Sequence, residues 1–179
     1  QHGEPHLARN PMAQVPVLEV NGEPLGQSMA ILEYLEEAYP SPSLLPGTAL
    51  QRAHCRQIAE CINAGVQPLQ NLAVMQRLQR EHGWSKQEAV AWSRTWIADG
   101  LRAVEVLVNR VGGRYCVGDS LSLADLCLVP QMYNARRFGV DLERLPTLSV
   151  IDEALNQLDV VHATHPHRQG DTPPELREP

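Results

Sequence analysis

The chain has 179 residues, of which 43% are hydrophobic and 20% are charged, and its formal net charge is −6. These are the values of an ordinary globular protein that is long enough for one substantial core or two small ones. The absence of a basic run argues against nucleic acid as a partner. No apolar stretch approaches the roughly 20 residues that a membrane-spanning helix needs, so a membrane is not an expected partner either.

The first part of the chain carries short strand and turn signals. The segment Val15–Val20 alternates in polarity and is rich in β-branched residues, Asn21-Gly22 follows it, and Leu25 comes next. Asn-Gly between two apolar stretches is a strong signal for a β-hairpin. The apolar positions of Ser28–Ala38 follow helical spacing, which places Ser28 at or next to an N-cap. Two strands and one helix are marginal alone, so we expect further strands upstream.

A proline-rich segment, Tyr39–Gly47, predicts a linker, and the rest of the chain reads as helices. Pro68 is expected to break the first of these helices. Ser122 and Asp125 have the spacing of a capping box, and the almost wholly apolar sequence that follows predicts a buried central helix. The predicted helices cover roughly residues 50–80, 86–110, 122–137 and 147–158.

The cysteines and histidines do not have the spacing of a metal site or of a local disulfide. Cys55 and Cys61 lie six residues apart on one predicted helix, about 9 Å along its axis, which is too far for a disulfide. We predict free thiols in a reducing compartment for all four cysteines, which are Cys55, Cys61, Cys116 and Cys127. Three histidines near the C-terminus, His162, His165 and His167, have no cysteine nearby, so no metal is expected there.

Two places in the first part of the chain have features of a binding site. The Val15-Pro16 bond is a candidate for a cis peptide, although Pro16 also suits a plain strand entry. Gly26-Gln27-Ser28 lies at the N-terminus of the predicted helix, where free N–H groups and the helix dipole favour binding of a carboxylate. An ordinary N-cap serine is the alternative for that second place.

Two further candidates lie in the helical part. Gln67, Gln70 and Asn71 cluster around Pro68, where they either contact a ligand or satisfy the backbone groups that the proline frees. Arg136 and Arg137 close the buried helix, and arginine binds carboxylates through two hydrogen bonds. Complementing the dipole at a helix C-terminus is the alternative for these arginines.

The assembled segments resemble the glutathione transferases. Residues 10–18 and 26–37 resemble the later part of the N-terminal domain of that family, and the helical remainder resembles its C-terminal domain. Three segments, 67–72, 124–131 and 165–173, resemble the zeta class in particular. The resemblance implies an α+β fold, in which residues 1–42 are the end of a thioredoxin-like domain and residues 43–179 form an all-helical domain. It also implies a homodimer in the cytoplasm.

The resemblance assigns roles to individual residues. Val15 resembles the residue whose backbone pairs with the cysteinyl part of glutathione, and Gln27 and Ser28 resemble those that hold its γ-glutamyl carboxylate. Arg137, more than Arg136, resembles the arginine that holds a substrate carboxylate. Further glutathione contacts implied by the zeta class are Gln1, Gln67, Asn71, Leu72 and Ala73.

The implied activity is glutathione-dependent cis–trans isomerisation of maleylacetoacetate to fumarylacetoacetate, a step in aromatic amino-acid catabolism. The family activates the thiol with a Ser-Ser-Cys-type segment that nothing in this sequence matches. We therefore expect no catalytic residue in the chain and place the activating group upstream of Gln1; a polypeptide that truly began at Gln1 would have no useful catalysis. Isomerisation of maleylpyruvate, a general transferase activity, or a non-catalytic binding protein are the alternatives.

Overall fold

A computed structural model describes residues 3–177 of the chain. The chain divides into two compact units between Pro46 and Gly47. The boundary predicted after residue 42 lies in the same proline-rich segment and stays a prediction. None of the helices described between residues 3 and 177 combines the length and the apolar character needed to cross a membrane.

The first unit contains the predicted hairpin followed by the predicted helix. The two strands pair antiparallel, with Val17 opposite Gly26 and Val20 opposite Glu23. The turn residues Asn21 and Gly22 have φ values of 52° and 87°, as a two-residue hairpin turn with positive φ at both positions requires. The elements of this unit are α1 (Glu4–Arg9), β1 (Val17–Val20), β2 (Glu23–Gly26) and α2 (Ser28–Ala38).

Helix α1 was not predicted from the sequence. It has only six residues and buries none of them, so it has no apolar face that a periodic pattern would reveal. The buried residues of the unit lie elsewhere, in α2 and in the loops, at Ile31, Leu45 and Asn10.

The second unit is helical throughout, apart from one isolated bridge between Gly112 and Gly118. The break predicted at Pro68 is confirmed, because a π-helical turn and a 3₁₀ turn replace the middle of the first long helix. A short sixth helix near the C-terminus was not predicted. The elements are α3 (Ala49–Glu60), the π turn (Cys61–Val66), the 3₁₀ turn (Gln67–Gln70), α4 (Leu72–His82), α5 (Lys86–Val111), α6 (Leu123–Arg137), α7 (Pro146–Asn156) and α8 (Asp159–Thr164), with further 3₁₀ turns at Leu142–Arg144, Pro166–Arg168 and Pro174–Leu176.

Helix α6 is the buried central helix that the sequence predicts, and it packs against α3, α5 and α7. Its N-terminus is fixed by the fully buried carboxylate of Asp125. One oxygen of this carboxylate accepts hydrogen bonds from the N–H and the hydroxyl of Ser122, both at 2.8 Å, and the other accepts the N–H of Cys116 at 2.8 Å. The predicted pairing of Ser122 with Asp125 is therefore confirmed.

Helices α5 and α7 are joined by a second buried carboxylate. Glu105 of α5 accepts hydrogen bonds from the N–H groups of Thr147 and Leu148, both at 2.9 Å, in the first turn of α7. Burial raises the pKa of Glu105, but these hydrogen bonds and a bond from Asn109 outweigh it, so the pKa lies below its ordinary value. The carboxylate therefore stays charged and holds the start of α7 near neutral pH.

Candidate functional site

The Val15-Pro16 peptide bond is cis, which confirms the first of the two sequence interpretations. Val15 is 65% exposed, and among the described residues neither its N–H nor its carbonyl makes a hydrogen bond. The segment before it is fixed, because the side chains of His6 and Asn10 both contact the carbonyl oxygen of Gln14, at 3.0 and 2.8 Å. The chain thus presents an extended, unpaired main chain just before β1, which can pair with an extended peptide.

Gln27 is the N-cap of α2, and Ser28 is the first helical residue. The carbonyl of Gln27 accepts the N–H of Ile31 at 3.0 Å, but its side chain makes no capping hydrogen bond. Its φ of 74° is in the left-handed region, which costs a residue with a Cβ about 1–2 kcal/mol. Such strain occurs where a ligand contact needs the backbone in an unusual conformation. The exposed side chain of Gln27 is left available beside a helix N-terminus, where an anion is favoured.

The predicted contacts of the helical unit lie on one continuous turn. Gln67 begins the 3₁₀ turn and is exposed, and Leu72 is 59% exposed at the start of α4. Asn71 caps α4, because its side-chain oxygen accepts the N–H of Ala73 at 2.9 Å. This hydrogen bond is an ordinary N-cap and does not satisfy a backbone group freed by Pro68, so the choice between ligand contact and backbone partner stays open for Asn71.

The two arginines at the end of α6 have different surroundings. Arg136 forms an ion pair with Asp152, whose side chain is fully buried. Burial raises the pKa of Asp152, and the Arg136 guanidinium offsets only part of that rise. Arg137 is exposed and forms no ion pair with another described residue; its guanidinium lies 6.0 Å from the centre of the Phe138 ring. Arg137 is thus the arginine available for an added carboxylate.

Arg137 lines a cavity of about 1090 Å³ inside the helical unit. Tyr133, His165 and His167 line the same cavity, and the Tyr133 hydroxyl lies 3.0 Å from Nε2 of His167. The cavity is open to solvent, and its volume is slightly above the roughly 300–1,000 Å³ of small-molecule sites in proteins. The carboxylates of Glu153 and Asp171 line it as well, so the Arg137 guanidinium, unpaired among the described residues, is the lining group that suits the carboxylate of a small organic acid.

The cysteines supply no thiolate. All four are free, as predicted, and burial raises the pKa of each thiol, to about 11 for Cys127. A thiol with such a pKa is almost wholly protonated near neutral pH and is a poor nucleophile. Any thiol chemistry at this site therefore comes from a bound ligand or from residues outside the described part. Gln1, the remaining predicted contact, lies outside the described residues.

Comparison with known proteins places these features in a family. Residues 1–37 match the family model described as the glutathione S-transferase N-terminal domain. The chain is 46% identical to a maleylacetoacetate isomerase of Rattus norvegicus over 177 residues, which is 99% of this chain and 79% of the relative.

Two solved structures are similar over nearly the whole chain. Maleylacetoacetate isomerase from Anaeromyxobacter dehalogenans 2CP-1, with glutathione bound in its active site, has a TM-score of 0.84 and 50% identity over 94% of this chain and 79% of that one. The maleylpyruvate isomerase described as a bacterial zeta-class glutathione transferase has a TM-score of 0.92 and 38% identity over 96% of this chain and 82% of that one. The chain therefore belongs to the maleylacetoacetate isomerase family of zeta-class glutathione transferases.

Proposed function

We propose that the protein is a glutathione-dependent isomerase that converts maleylacetoacetate to fumarylacetoacetate. The observation that carries this proposal is the guanidinium of Arg137, unpaired among the described residues and beside a cavity of about 1090 Å³, in a chain of this family. Maleylacetoacetate has two carboxylates, and an unpaired arginine is the side chain best suited to bind one of them.

The residues of the first unit fit glutathione as the cofactor. The unpaired N–H and carbonyl of Val15 have the arrangement needed to bind the cysteinyl backbone of the tripeptide as an added strand. Gln27 and Ser28, at the N-terminus of α2, offer side-chain donors for the γ-glutamyl carboxylate. In the helical unit we assign further glutathione contacts to Gln67, Asn71, Leu72 and Ala73. Gln1 is assigned the same role from the family resemblance.

When bound, glutathione would supply a thiolate for reversible addition to the conjugated cis double bond, which would then be a single bond free to rotate, and expulsion of the same thiolate would restore the double bond as trans. The described residues of this chain bind and orient glutathione and the substrate. Val15 fixes the cysteinyl backbone and thereby the direction of the thiol, while Arg137 holds a substrate carboxylate and offsets negative charge that develops next to it. No residue of this chain is assigned to lowering the thiol pKa from its ordinary value of about 8.5.

Maleylpyruvate is the second candidate substrate. It is favoured by the TM-score of 0.92 to the maleylpyruvate isomerase, against 0.84 for the maleylacetoacetate isomerase from Anaeromyxobacter dehalogenans 2CP-1. The two acids undergo the same reaction and differ in the length of the keto-acid arm. Sequence identity points the other way, at 50% for that maleylacetoacetate isomerase against 38%, and we rank maleylacetoacetate first for that reason.

We further propose that the protein works as a homodimer in the cytoplasm, in the catabolism of tyrosine and phenylalanine. The assembly and the pathway rest on the family resemblance alone. A reducing compartment is supported by the four free thiols, since free cysteines persist in the cytosol and are oxidised in secreted proteins.

Arg137→Ala tests the proposal most directly. Loss of a charge-assisted hydrogen bond worth about 1.5–3 kcal/mol is expected to raise KM for maleylacetoacetate about 10- to 150-fold. The Kd for glutathione should stay unchanged, because Arg137 is assigned to the acid and not to the cofactor. The measurement is steady-state kinetics with glutathione saturating, together with calorimetric titration of glutathione.

Arg110→Ala is the matched control, since Arg110 is an exposed arginine in the last turn of α5 and does not line the cavity beside Arg137. Its KM should equal that of the wild type. An unchanged KM in Arg137→Ala would contradict the assignment of the substrate carboxylate.

A further inference from the structure

A pair of buried glutamines joins the turn at Pro68 to helix α6. Gln70 and Gln131 are 5% and 2% exposed and lie 61 residues apart in the chain. Nε2 of Gln70 donates to Oε1 of Gln131 at 2.6 Å, and Nε2 of Gln131 donates back to Oε1 of Gln70 at 3.4 Å. Each amide thus satisfies one donor and one acceptor of the other.

Packing alone does not explain this pair. A buried amide costs free energy unless it is hydrogen-bonded, and when it is bonded the net gain over an apolar side chain of similar size is small. What a reciprocal pair adds is geometry, because both amides must lie in one plane at one distance for two bonds to form. Gln70 is therefore held at a defined position by a residue of the central helix.

Two residues of α5 hold the same turn from another side. Nε1 of Trp92 donates to the carbonyl of Leu69 at 2.9 Å. Gly100 lies against Val66, so closely that a Cβ at position 100 would overlap the Val66 side chain. Three contacts therefore hold the turn: the hydrogen bond to the Leu69 carbonyl, the packing of Gly100 against the adjacent Val66, and the hydrogen bonds of the Gln70 side chain.

The turn held in this way carries two of the proposed glutathione contacts. Gln67 is its first residue, and Asn71 follows its last. Neither has a side-chain bond to α5 or α6 among the described hydrogen bonds, so their positions depend on the backbone of the turn. A shift of Gln70 would move both.

We propose that Gln131 is a positioning residue for glutathione binding, acting through Gln70 on the turn that carries Gln67 and Asn71. This inference rests on the proposed function. Gln131 does not touch the cofactor in this account; it sets where the two contacting side chains lie.

The test compares a single variant with a double variant. Gln131→Met keeps the side-chain volume but leaves the Gln70 amide buried without its partner, so both stability and glutathione binding should fall. Gln70→Met/Gln131→Met removes both amides, and its melting temperature should return to within about 2 °C of the wild type because no buried polar group is left unpaired. Its Kd for glutathione should nevertheless stay raised at least fivefold.

Two readouts separate positioning from mere stability. Melting temperature follows the burial of an unpaired amide, whereas the Kd for reduced glutathione, measured by calorimetric titration, follows the position of the turn. KM for the dicarboxylic acid at saturating glutathione should change less than twofold, because Arg137 is untouched. Gln87→Met, at an exposed position of α5, is the control and should match the wild type in every measurement.

The outcomes are distinct. If the double variant recovers both its melting temperature and its Kd, the pair is structural only and this inference is overturned. If the wild type binds no glutathione, the proposed function itself is overturned, whatever the variants show. A recovered melting temperature with a raised Kd supports the positioning role.

Discussion

The two segments assigned to glutathione, residues 15–28 and 67–73, are held in place by different means. In the first, the shape comes from residues close in sequence: Asn10 and His6 fix the carbonyl of Gln14, and the second strand of the hairpin leads directly into Gln27. In the second, the shape comes from distant residues, since Gln70 is bonded to a residue 61 positions away. Local sequence is therefore enough to fix the conformation of the first segment, whereas the conformation of the second depends on packing against α5 and α6.

This difference predicts opposite responses to substitution. Changes far from the ligand should disturb the second segment and spare the first. Changes within residues 15–28 should alter binding with little effect on the stability of the helical unit. The variants below probe that contrast, starting with the largest expected effect.

Gly100→Ala should destabilise the protein by about 1–3 kcal/mol, because the added methyl group overlaps Val66 in a packed core. The sign of this change in the free energy of unfolding is informative, because Gly→Ala inside a helix otherwise stabilises a protein by about 0.5–1 kcal/mol. Urea unfolding at neutral pH measures the change. Gly65→Ala is the control, because a Cβ there meets open space, and it should not destabilise. A neutral Gly100→Ala would contradict the close contact that holds the turn.

Glu105→Gln should lower the free energy of unfolding at pH 7 by about 1–2 kcal/mol, because a neutral amide accepts the bonds from Thr147 and Leu148 less strongly than a carboxylate. Because these bonds hold the pKa of Glu105 below its ordinary value, its contribution is fully present above about pH 4.5, the ordinary value. It is lost as the pH falls through the lower pKa of the folded state.

The difference in stability between wild type and Glu105→Gln should therefore shrink on acidification below pH 4.5, which urea titrations at several pH values would show. Glu143→Gln, at an exposed position, serves as the control and should follow the wild type at each pH. A difference that persists unchanged at acid pH would mean that the carboxylate charge is not what joins α5 to α7.

Gln27→Gly should change stability by less than about 1 kcal/mol, because the relief of the left-handed backbone is offset by the extra freedom of glycine in the unfolded chain. The Kd for glutathione should rise about tenfold, the value of one lost hydrogen bond. Asn21→Gly is a matched control, since Asn21 also has a positive φ but lies in the hairpin turn. Equal glutathione affinities in the two variants would show that the Gln27 side chain has no part in binding.

The smallest effect is expected for alkylation of the cysteine thiols, because no cysteine lies in either segment assigned to glutathione. Cys127, with a pKa of about 11, should be less than about 0.1% thiolate at pH 7.5. Iodoacetamide labelling followed by peptide mass spectrometry should therefore find Cys55, Cys61, Cys116 and Cys127 largely unmodified in the folded protein and labelled in urea. Rapid labelling in the native state would contradict the burial of Cys55 and Cys116, and for the part-exposed Cys61 and Cys127 it would contradict their raised pKa.

The contrast between the two segments also explains what the sequence could predict. The hairpin and α2 follow from short motifs, whereas the cis bond before Pro16 was one of two interpretations that the local sequence left open; all three are present in the structure. The capping of α6 by Asp125 was equally local. Gln131 was missed, although a glutamine within an otherwise apolar helix was an available signal, because its partner Gln70 is set only by the packing of the helices.

The proposed preference for Arg137 over Arg136 is supported by an ion pair that no local pattern reveals. Asp152 lies 16 residues from Arg136, and their ion pair leaves Arg137 as the one available to an acid. The cavity that Arg137 lines includes residues of α7 and of the C-terminal turns, which a sequence pattern does not bring together. Secondary structure was therefore more predictable here than the surroundings of individual side chains.

The most direct test of the account is isomerisation of maleylacetoacetate by the native protein, with either glutathione or S-methylglutathione present at saturation. S-methylglutathione retains the carboxylates and backbone that Val15, Gln27 and Ser28 are proposed to bind, but it has no thiol. Turnover is expected with glutathione and none above the uncatalysed rate with S-methylglutathione, which should compete with glutathione. Equal turnover with both, or with neither, would contradict a glutathione-dependent isomerase.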